Sequence, residues 1–422
     1  PYTTSNDSDS DSTSTQSSTE GPTLEQMRKD LLGAQLMLMN YAIKHEYVYK
    51  RWRSVVNMMI LKEEGNTKIN RLRVIHLYEA DYNLLLGVKW RKLMHHCIDN
   101  KLLHPSQYGG IPGRDSITPV LITEMQYEIT RATRNPMISV DYDATSCYDR
   151  IIESVASLAA RSYGQNQSLC FIHARHLREA KYLLKTKLGI SEKDYQHSRI
   201  YPIYGTGQGS ANSPVIWCLI SSRLFEMQDI YSTGASFESP TGKYKVEVHC
   251  LGFVDDTYSA VNKFNDISTS IEELLKTAQH DAQLWSSFLN ATGGALEVPK
   301  VKFHAIYFGF DSTGKPKMME PDPTYKISID TGNLEGIIDL HPLSPERPRK
   351  MLGCYKEPTG NNKKSLEVLT ANAEKLATKI YNSQLNSKCT WRFYHSMFIP
   401  SITYSFPVNS IQSKDLDKIQ SN

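Results

Sequence analysis

The chain is poor in the features that would place it outside an ordinary intracellular fold. Its seven cysteines, at 97, 147, 170, 218, 250, 354 and 389, are scattered singly with no C-x-x-C pair. An odd number at such spacing excludes a disulfide framework and a zinc site, and a reduced intracellular compartment is expected. No apolar run approaches the roughly 18 residues of a membrane span, and no signal peptide is visible, so no membrane partner is expected. There is no internal repeat. Net charge is small, +3 over 422 residues, but residues 1–20 hold four acids (Asp7, Asp9, Asp11, Glu20) and no Lys or Arg; with these set aside, residues 21–422 carry +7. That basic excess suits a nucleic-acid groove without demonstrating one. The length exceeds the size at which single cores stop growing, so two or three subdomains are expected.

What is present is acidic and local. Val246 and Val248 alternate with Lys245, Glu247 and His249, a period of two that predicts a half-buried strand. It is read as running through Leu251 and Phe253 into Asp255 and Asp256, then resuming over residues 257–261. Two adjacent carboxylates at the tip of an apolar hairpin repel each other and need a cation, for which magnesium with oxygen ligands is the natural candidate. A second stretch, DYDATSCYD from Asp141 to Asp149, places Asp141 and Asp143 where a strand ends and a helix begins. Carboxylates from two strand ends can hold two metal ions about 4 Å apart, the arrangement of nucleotidyl transfer. Taken singly, these residues read equally well as turn and N-cap residues. Between them lies GTGQGSANSP (Gly205–Pro214), whose glycines flank Gln208 and let backbone approach a ligand, while the Gln208 amide can meet a sugar or base. Ser213 and Pro214 then start a helix.

Around these motifs, residues 1–22 are Ser/Thr/Asp low complexity and expected to be disordered. Thr23 and Gln26 form a capping box before a helix carrying Leu31, Leu32, Leu36, Leu38 and Met39. A hairpin is predicted over 52–75, with Lys62, Lys68, Arg71 and Arg73 at its polar tip. A helical segment then leads to the loop Tyr108–Arg114. Residues 165–195 read as helical and basic. Helices are predicted from Ile271, capped by Ser270 and ended by Gly293-Gly294, and around Leu369–Ile380. The chain starts at Pro1 and stops mid-pattern, and reads as a piece of a longer polypeptide.

Together the three motifs resemble the reverse transcriptase family. Asp143, Tyr148 and Asp149 fit its D-x4-aromatic-D motif, with a Cys-Tyr-Asp flavour close to group II intron and non-LTR retroelement enzymes. Gln208, Gly209, Ser213 and Pro214 fit Q-G-x3-S-P, and Phe253, Asp255 and Asp256 fit aromatic-x-D-D. Weaker likenesses are Gly294–Lys300, the Leu352-Gly353 primer grip, Arg73 at the fingertip, and Gln107–Arg114, where Ile111 replaces a usual Arg. The resemblance spans about residues 50–410.

It implies an α+β right-hand polymerase: an antiparallel palm sheet backed by helices, fingers before it and a helical thumb after it. The implied division is a tail over 1–22, an N-terminal helix and fingers over 23–135, a palm over 136–357 with a helical insertion near 160–204, and a truncated thumb over 358–422. The implied activity is RNA-directed DNA polymerisation in a retroelement, with an RNA template, a DNA or RNA primer and dNTPs as partners. Whether endonuclease or RNase H modules flank the fragment is left open by the sequence. Asp143, Asp255 and Asp256 would hold two Mg2+, with Mn2+ as substitute, and Asp256 would ligate weakly or tune the site. Asp141 shares the strand face of Asp143; the spacing to Tyr148 favours Asp143. Tyr148 is the implied steric gate against ribonucleotides, Gln208 and Gly209 line the nucleotide site, and Lys62 and Arg73 clamp the triphosphate. Lys300, with Lys302 close by, is the implied proton donor. Two rival readings are an RNA-dependent RNA polymerase and a decayed or domesticated copy that binds nucleic acid without extending it.

Overall fold

A computed structural model describes residues 23–62, 64–68, 71–145, 147–197, 205–264, 266, 268–332 and 336–420. The tail expected over 1–22 and the end of the predicted insertion, 198–204, lie outside the described residues.

The first helix, α1 (Leu24–His45), is capped by Thr23, whose hydroxyl accepts from the Gln26 amide at 3.2 Å. Only Met39 and Ala42 of this helix are buried; Leu31, Leu32, Leu36 and Leu38 stay exposed. Strands β1 (Ser54–Leu61) and β2 (Leu72–Leu77) pair antiparallel as the expected hairpin. Helices α2 (Ala80–Asp99) and α3 (Ile117–Thr133) follow, then β3 (Met137–Tyr142), the short α4 (Cys147–Arg150), α5 (Glu153–Ser162) and α6 (Gln167–Glu179).

Here the helical prediction for 165–195 needs correction. The helix stops at Glu179, and β4 (Lys181–Thr186) and β5 (Gly189–Ile190) replace its second half. A basic run has little intrinsic preference, and the open edge of β1 recruits it: β4 pairs parallel to β1 with Val56 beside Leu183, burying Tyr182. The resulting sheet has the order β2-β1-β4-β5.

Helix α7 (Ser213–Tyr231) precedes a hairpin of β6 (Ala235–Glu238) and β7 (Lys245–Val248), then β8 (Leu251–Phe253), β9 (Asp256–Asn262), α8 (Ile271–Ala291) and β10 (Lys302–Ile306). The strand predicted as continuous from 245 into Phe253 is therefore two strands. Among the described residues β7 pairs only with β6; it is largely exposed, and the chain turns at His249 and Cys250 before β8 enters the central sheet.

That central sheet, β10-β3-β9-β8, is antiparallel throughout. Alternation along β3 sorts its residues. Ile138, Val140 and Tyr142 enter the main core with α7 and α8, where Phe225 and Trp285 stack at 5.6 Å. Met137 enters a second core on the other face with Tyr127 of α3 and Tyr258 of β9. Three small hairpins follow: β11 (Phe308–Phe310) with β12 (Pro316–Met318), β13 (Ile327–Asp330) with β14 (Ile337–Leu340), and β15 (Arg349–Met351) with β16 (Cys354–Lys356). The chain ends in α9 (Lys363–Tyr381), α10 (Ser387–Phe393), α11 (Ile399–Thr403) and α12 (Ser413–Gln420), with a core of their own built on Leu369, Ala373, Ile402 and Ile419. No helix among the described residues is long and apolar enough to cross a membrane.

Candidate active site

Two strand ends of the central sheet carry the acidic motifs. Asp143 follows β3 directly, and Val254 and Asp255 form the turn between β8 and β9, where Phe253 pairs with Asp256. Val254 is held at φ +58, a left-handed conformation unfavourable for a β-branched residue. Such a turn persists only if its surroundings hold it. They do so through Gln107, which is fully buried. Its Oε1 accepts from the Val254 amide at 3.2 Å and the Gly109 amide at 2.9 Å, and its Nε2 donates to Ser221 Oγ at 2.8 Å. The Trp217 indole donates to the Val254 carbonyl. A Cβ on Gly109 would lie 2.1 Å from the Val254 nitrogen, so only glycine fits. Sequence reading found this loop but not its task; the signal available was a Gln ahead of a glycine pair.

The carboxylates are not equivalent. Asp143 Oδ2 accepts from Lys300 Nζ at 2.9 Å. Burial raises the Asp255 carboxyl, and Asp143 raises it further, against the opposing charges of Lys300 and Arg73. Asp256 is pushed up to about 6 by burial and then by Asp255, Asp143 and Asp141. Burial works against the Lys300 ammonium, yet its hydrogen bond to Asp143 together with the charges of Asp143, Glu297 and Asp255 holds its pKa above the ordinary value. Lys302 instead donates to the Pro299 carbonyl at 2.8 Å, so Lys300 is the lysine that reaches a carboxylate. Asp141 is raised to about 6 by burial, which Arg349 beside it partly offsets.

The glycine loop is fitted between β2 and the first acidic motif. The Tyr148 carbonyl accepts from the Thr206 amide at 2.8 Å, and the Gln208 carbonyl accepts from the His76 amide at 2.6 Å. A Cβ on Gly205 would meet the Asp149 carbonyl carbon at 2.1 Å, and one on Gly209 the His76 oxygen at 2.3 Å. Ser213 Oγ donates to the Thr206 and Gly207 carbonyls, both at 2.9 Å, closing the loop onto α7.

One cavity of about 520 Å³ is lined by Lys62, Arg71, Arg73, Asp143, Tyr148, Gln208, Asp255, Glu297 and Lys300 among others. A second, of about 280 Å³, is lined by Asp141, Asp143, Asp256, Lys300, Arg349 and Leu352 among others, and shares Asp143 and Lys300 with the first. Gly209 and Gly353 line neither of these two: Gly209 packs on His76, and Gly353 turns toward Tyr404, whose hydroxyl donates to the Leu352 carbonyl at 2.7 Å. Arg71, Glu297 and Arg349 are site neighbours that were not assigned from sequence. The Glu297 amide donates to the Asp143 carbonyl at 2.8 Å, and its carboxylate accepts from Thr145 Oγ1 at 2.9 Å.

Among the described residues no group of three or more His, Cys, Asp or Glu side chains converges as a metal site by itself. Asp143 shares the first cavity with Asp255 and the second with Asp256 and Asp141, so it is the carboxylate common to both. This donor set still fits magnesium, which is commonly held by one or two carboxylates together with substrate phosphates and water. Chemically, paired carboxylates facing Lys62, Arg71 and Arg73 across one cavity can hold a hard cation and a polyphosphate together.

No protein-family model matches the chain, and no curated protein matches its sequence. Among solved structures it is similar to a telomerase from Candida albicans in complex with a TWJ fragment of telomeric RNA, with TM-score 0.42, 11% identity, and coverage of 94% of this chain and 66% of that one. It is also similar to a telomerase from Candida tropicalis with a TWJ fragment of telomeric RNA (TM-score 0.41, 11% identity, 93% of this chain and 60% of that one). A third is an apo telomerase of Candida tropicalis truncated from its C-terminal domain (TM-score 0.39, 13% identity, 77% and 60%). The chain thus spans 60–66% of the length of these structures. Scores this low carry no argument about fold or activity.

Proposed function

We propose that the chain is an RNA-directed DNA polymerase of a retroelement, built as a right hand. In this reading the β10-β3-β9-β8 sheet with α7 and α8 is the palm, the β2-β1-β4-β5 sheet belongs to the fingers, and α9 to α12 form the thumb. The observation that carries it is the meeting of Asp143 and Asp255 with Lys62, Arg73, Tyr148, Gln208 and Lys300 on one cavity of about 520 Å³. These residues lie up to 238 positions apart, from Lys62 to Lys300. Turn and capping roles alone give no reason for them to converge.

Asp143 and Asp255, with Asp256 beside them, are the residues that would hold magnesium, or manganese in its place. When bound, the metal would activate a primer 3′ hydroxyl and neutralise charge on the triphosphate. The chain's own groups do the rest. Arg73 and Lys62, joined by Arg71, receive the triphosphate of a dNTP by charge and hydrogen bonds. Gln208 presents its amide to the sugar or base. The Tyr148 ring stands where a 2′ hydroxyl would go and excludes ribonucleotides by clash. Lys300, protonated at neutral pH and released from Asp143, donates its proton to departing pyrophosphate.

Primer extension by the purified chain on an RNA template with dNTPs and Mg2+ tests the proposal. Extension is expected, and it should fall by about 10³-fold in Asp255→Asn. Preference for NTPs would indicate an RNA polymerase instead, and duplex binding without extension a silent nucleic-acid-binding protein.

A further inference from the structure

The geometry points to Asp141 as a positioning residue: its carboxylate, tied to Arg349, fixes the β15–β16 turn against the catalytic strand and shapes the seat of the primer end. This rests on the polymerase reading and assigns a task to the acid that sequence spacing left beside Asp143.

Asp141 sits on the face of β3 away from α7 and α8, with Ser139 and Met137. Across the sheet it is in register with Tyr258 of β9 and Lys302 of β10. Lys302 does not answer it, because that ammonium is spent on the Pro299 carbonyl. Its partner comes instead from β15: Arg349 Nε lies against Asp141 Oδ2 as an ion pair, and only 7% of the Arg349 side chain is exposed. The same guanidinium donates from Nη2 to the Tyr127 hydroxyl at 3.3 Å and lies 6.0 Å from the Tyr258 ring centroid. Tyr127 in turn is 3.2 Å from Ser139 Oγ. Three elements, α3, β3 and β9, thus enclose one side chain of the hairpin. Among the described residues Arg349 has no other ion pair, so Asp141 is its counter-charge.

The hairpin so anchored faces the reacting groups. Lys350, Met351 and Leu352 line the 280 Å³ cavity with Asp143, Asp256 and Lys300. Its turn, with Leu352 at φ +47 and Gly353 at φ +90, is tied at the far side by the Tyr404 hydroxyl. A strained turn held at two ends moves when either end is released. Loss of the Asp141 charge leaves Arg349 buried without a counter-ion, which drives the hairpin outward and opens that cavity. Asp143 lines that cavity too but differs in partner: it is hydrogen-bonded to Lys300 and also faces the cation-lined cavity.

The test is binding of an RNA–DNA primer–template duplex with a recessed 3′ end, measured by fluorescence anisotropy in EDTA, alongside steady-state extension. Asp141→Asn should weaken duplex binding about tenfold, a change of roughly 1.4 kcal/mol. It should raise the KM for duplex equally while the KM for dNTP moves less than about twofold. Asp143→Asn should show the reverse pattern, with duplex affinity kept and kcat collapsed. Loss of kcat with unchanged duplex affinity in Asp141→Asn would make Asp141 a metal ligand and overturn the inference, as would wild-type behaviour. Should Asp141→Asn fail to fold, Tyr127→Phe, which keeps the buried ring but removes the hydroxyl on Arg349, must weaken duplex binding in the same direction; no change there overturns it. A wild-type chain that binds duplex but never extends it ends the polymerase reading alone, because the binding comparison still decides the role of Asp141. A wild-type chain with no duplex affinity overturns both.

Discussion

One ammonium decides how the carboxylates at this site are tolerated. Lys300 is hydrogen-bonded to Asp143 and lowers the cost of ionising Asp255 and Asp256. Lys300→Ala should therefore cut incorporation roughly 10²-fold if the lysine acts as general acid, and Lys300→Arg, which keeps the charge but gives up its proton less readily, should recover binding more than rate. Single-turnover measurement separates the two. Asp143→Asn and Asp255→Asn should each cost about 10³-fold, since the charge stabilisation they would anchor is worth several kcal/mol and each 1.4 kcal/mol is about tenfold. Equal losses from Asp141→Asn and Asp143→Asn would refute that ranking. These roles were legible because motif spacing is one-dimensional: Asp143 to Tyr148 and Asp255-Asp256 can be read along the chain. The task of Gln107, though its loop was recognised, and the role of Arg349 could not be read in that way. Each acts on a residue more than a hundred positions away, and a lone Gln or Arg has no periodicity to announce it.

Elements show the same divide between what is written locally and what neighbours impose. The caps of α1 and α8 are visible in Thr23 and Ser270, whose hydroxyls accept from Gln26 and Glu273 amides, because capping joins residues three apart. β4 and the break between β7 and β8 were not legible, because an edge on β1 and a pairing with β6 decide them. The joint between α4 and the glycine loop carries a pH signature. Among the described residues Asp149 Oδ1 is buried with no hydrogen-bond partner, and His76 Nε2 is 3.9 Å away. Burial raises this carboxyl to about 6, against the Gln208 amide and Lys62, while burial lowers His76 to about 4. A free aspartate titrates near about 3.9, so between these values the folded chain holds a proton that the unfolded chain has released. Its stabilising contribution is present below about pH 4 and is lost as pH rises through about 6. Asp149→Asn removes that loss. The melting temperature should rise by about one to three degrees at pH 8, and the gain should vanish at pH 4. A gain that persists at pH 4 would locate the effect elsewhere. Nearby, Gly109→Ala should cost about 3 kcal/mol or more by driving a Cβ into Val254 and distorting the Asp255 turn.

At the scale of the whole molecule, the C-terminal helices have their own small core and meet the rest through a small apolar cluster of Val120, Cys354 and Val408 and a charged joint beside it. Lys356, at the end of β16, is only 3% exposed. Its ammonium meets Glu124 Oε2 of α3 at 3.0 Å and donates to the Val408 carbonyl of the C-terminal segment. Glu124 Oε1 also accepts from Arg131 Nη2 at 3.0 Å, and Arg131 Nη1 donates to the Pro358 carbonyl at 2.7 Å. Glu124 thus pairs with two cations at the point where the chain leaves the β15–β16 hairpin for α9; Arg131 has Glu128 as a second partner at 2.9 Å, and Lys356 has no other ion pair among the described residues. Glu124→Gln keeps the shape but leaves Lys356 buried against a neutral amide, which should cost about 3–5 kcal/mol. Because that cost falls on the joint and the helical core beyond it is small, the loss should be local. Limited proteolysis should cut between 357 and 363 well before the central sheet opens, and duplex affinity should fall with it, since Leu352 and Gly353 hang from the same hairpin. A variant that loses stability uniformly, with the sheet and the C-terminal helices melting together, would show that the two cores fold as one unit and that Glu124 is not their hinge.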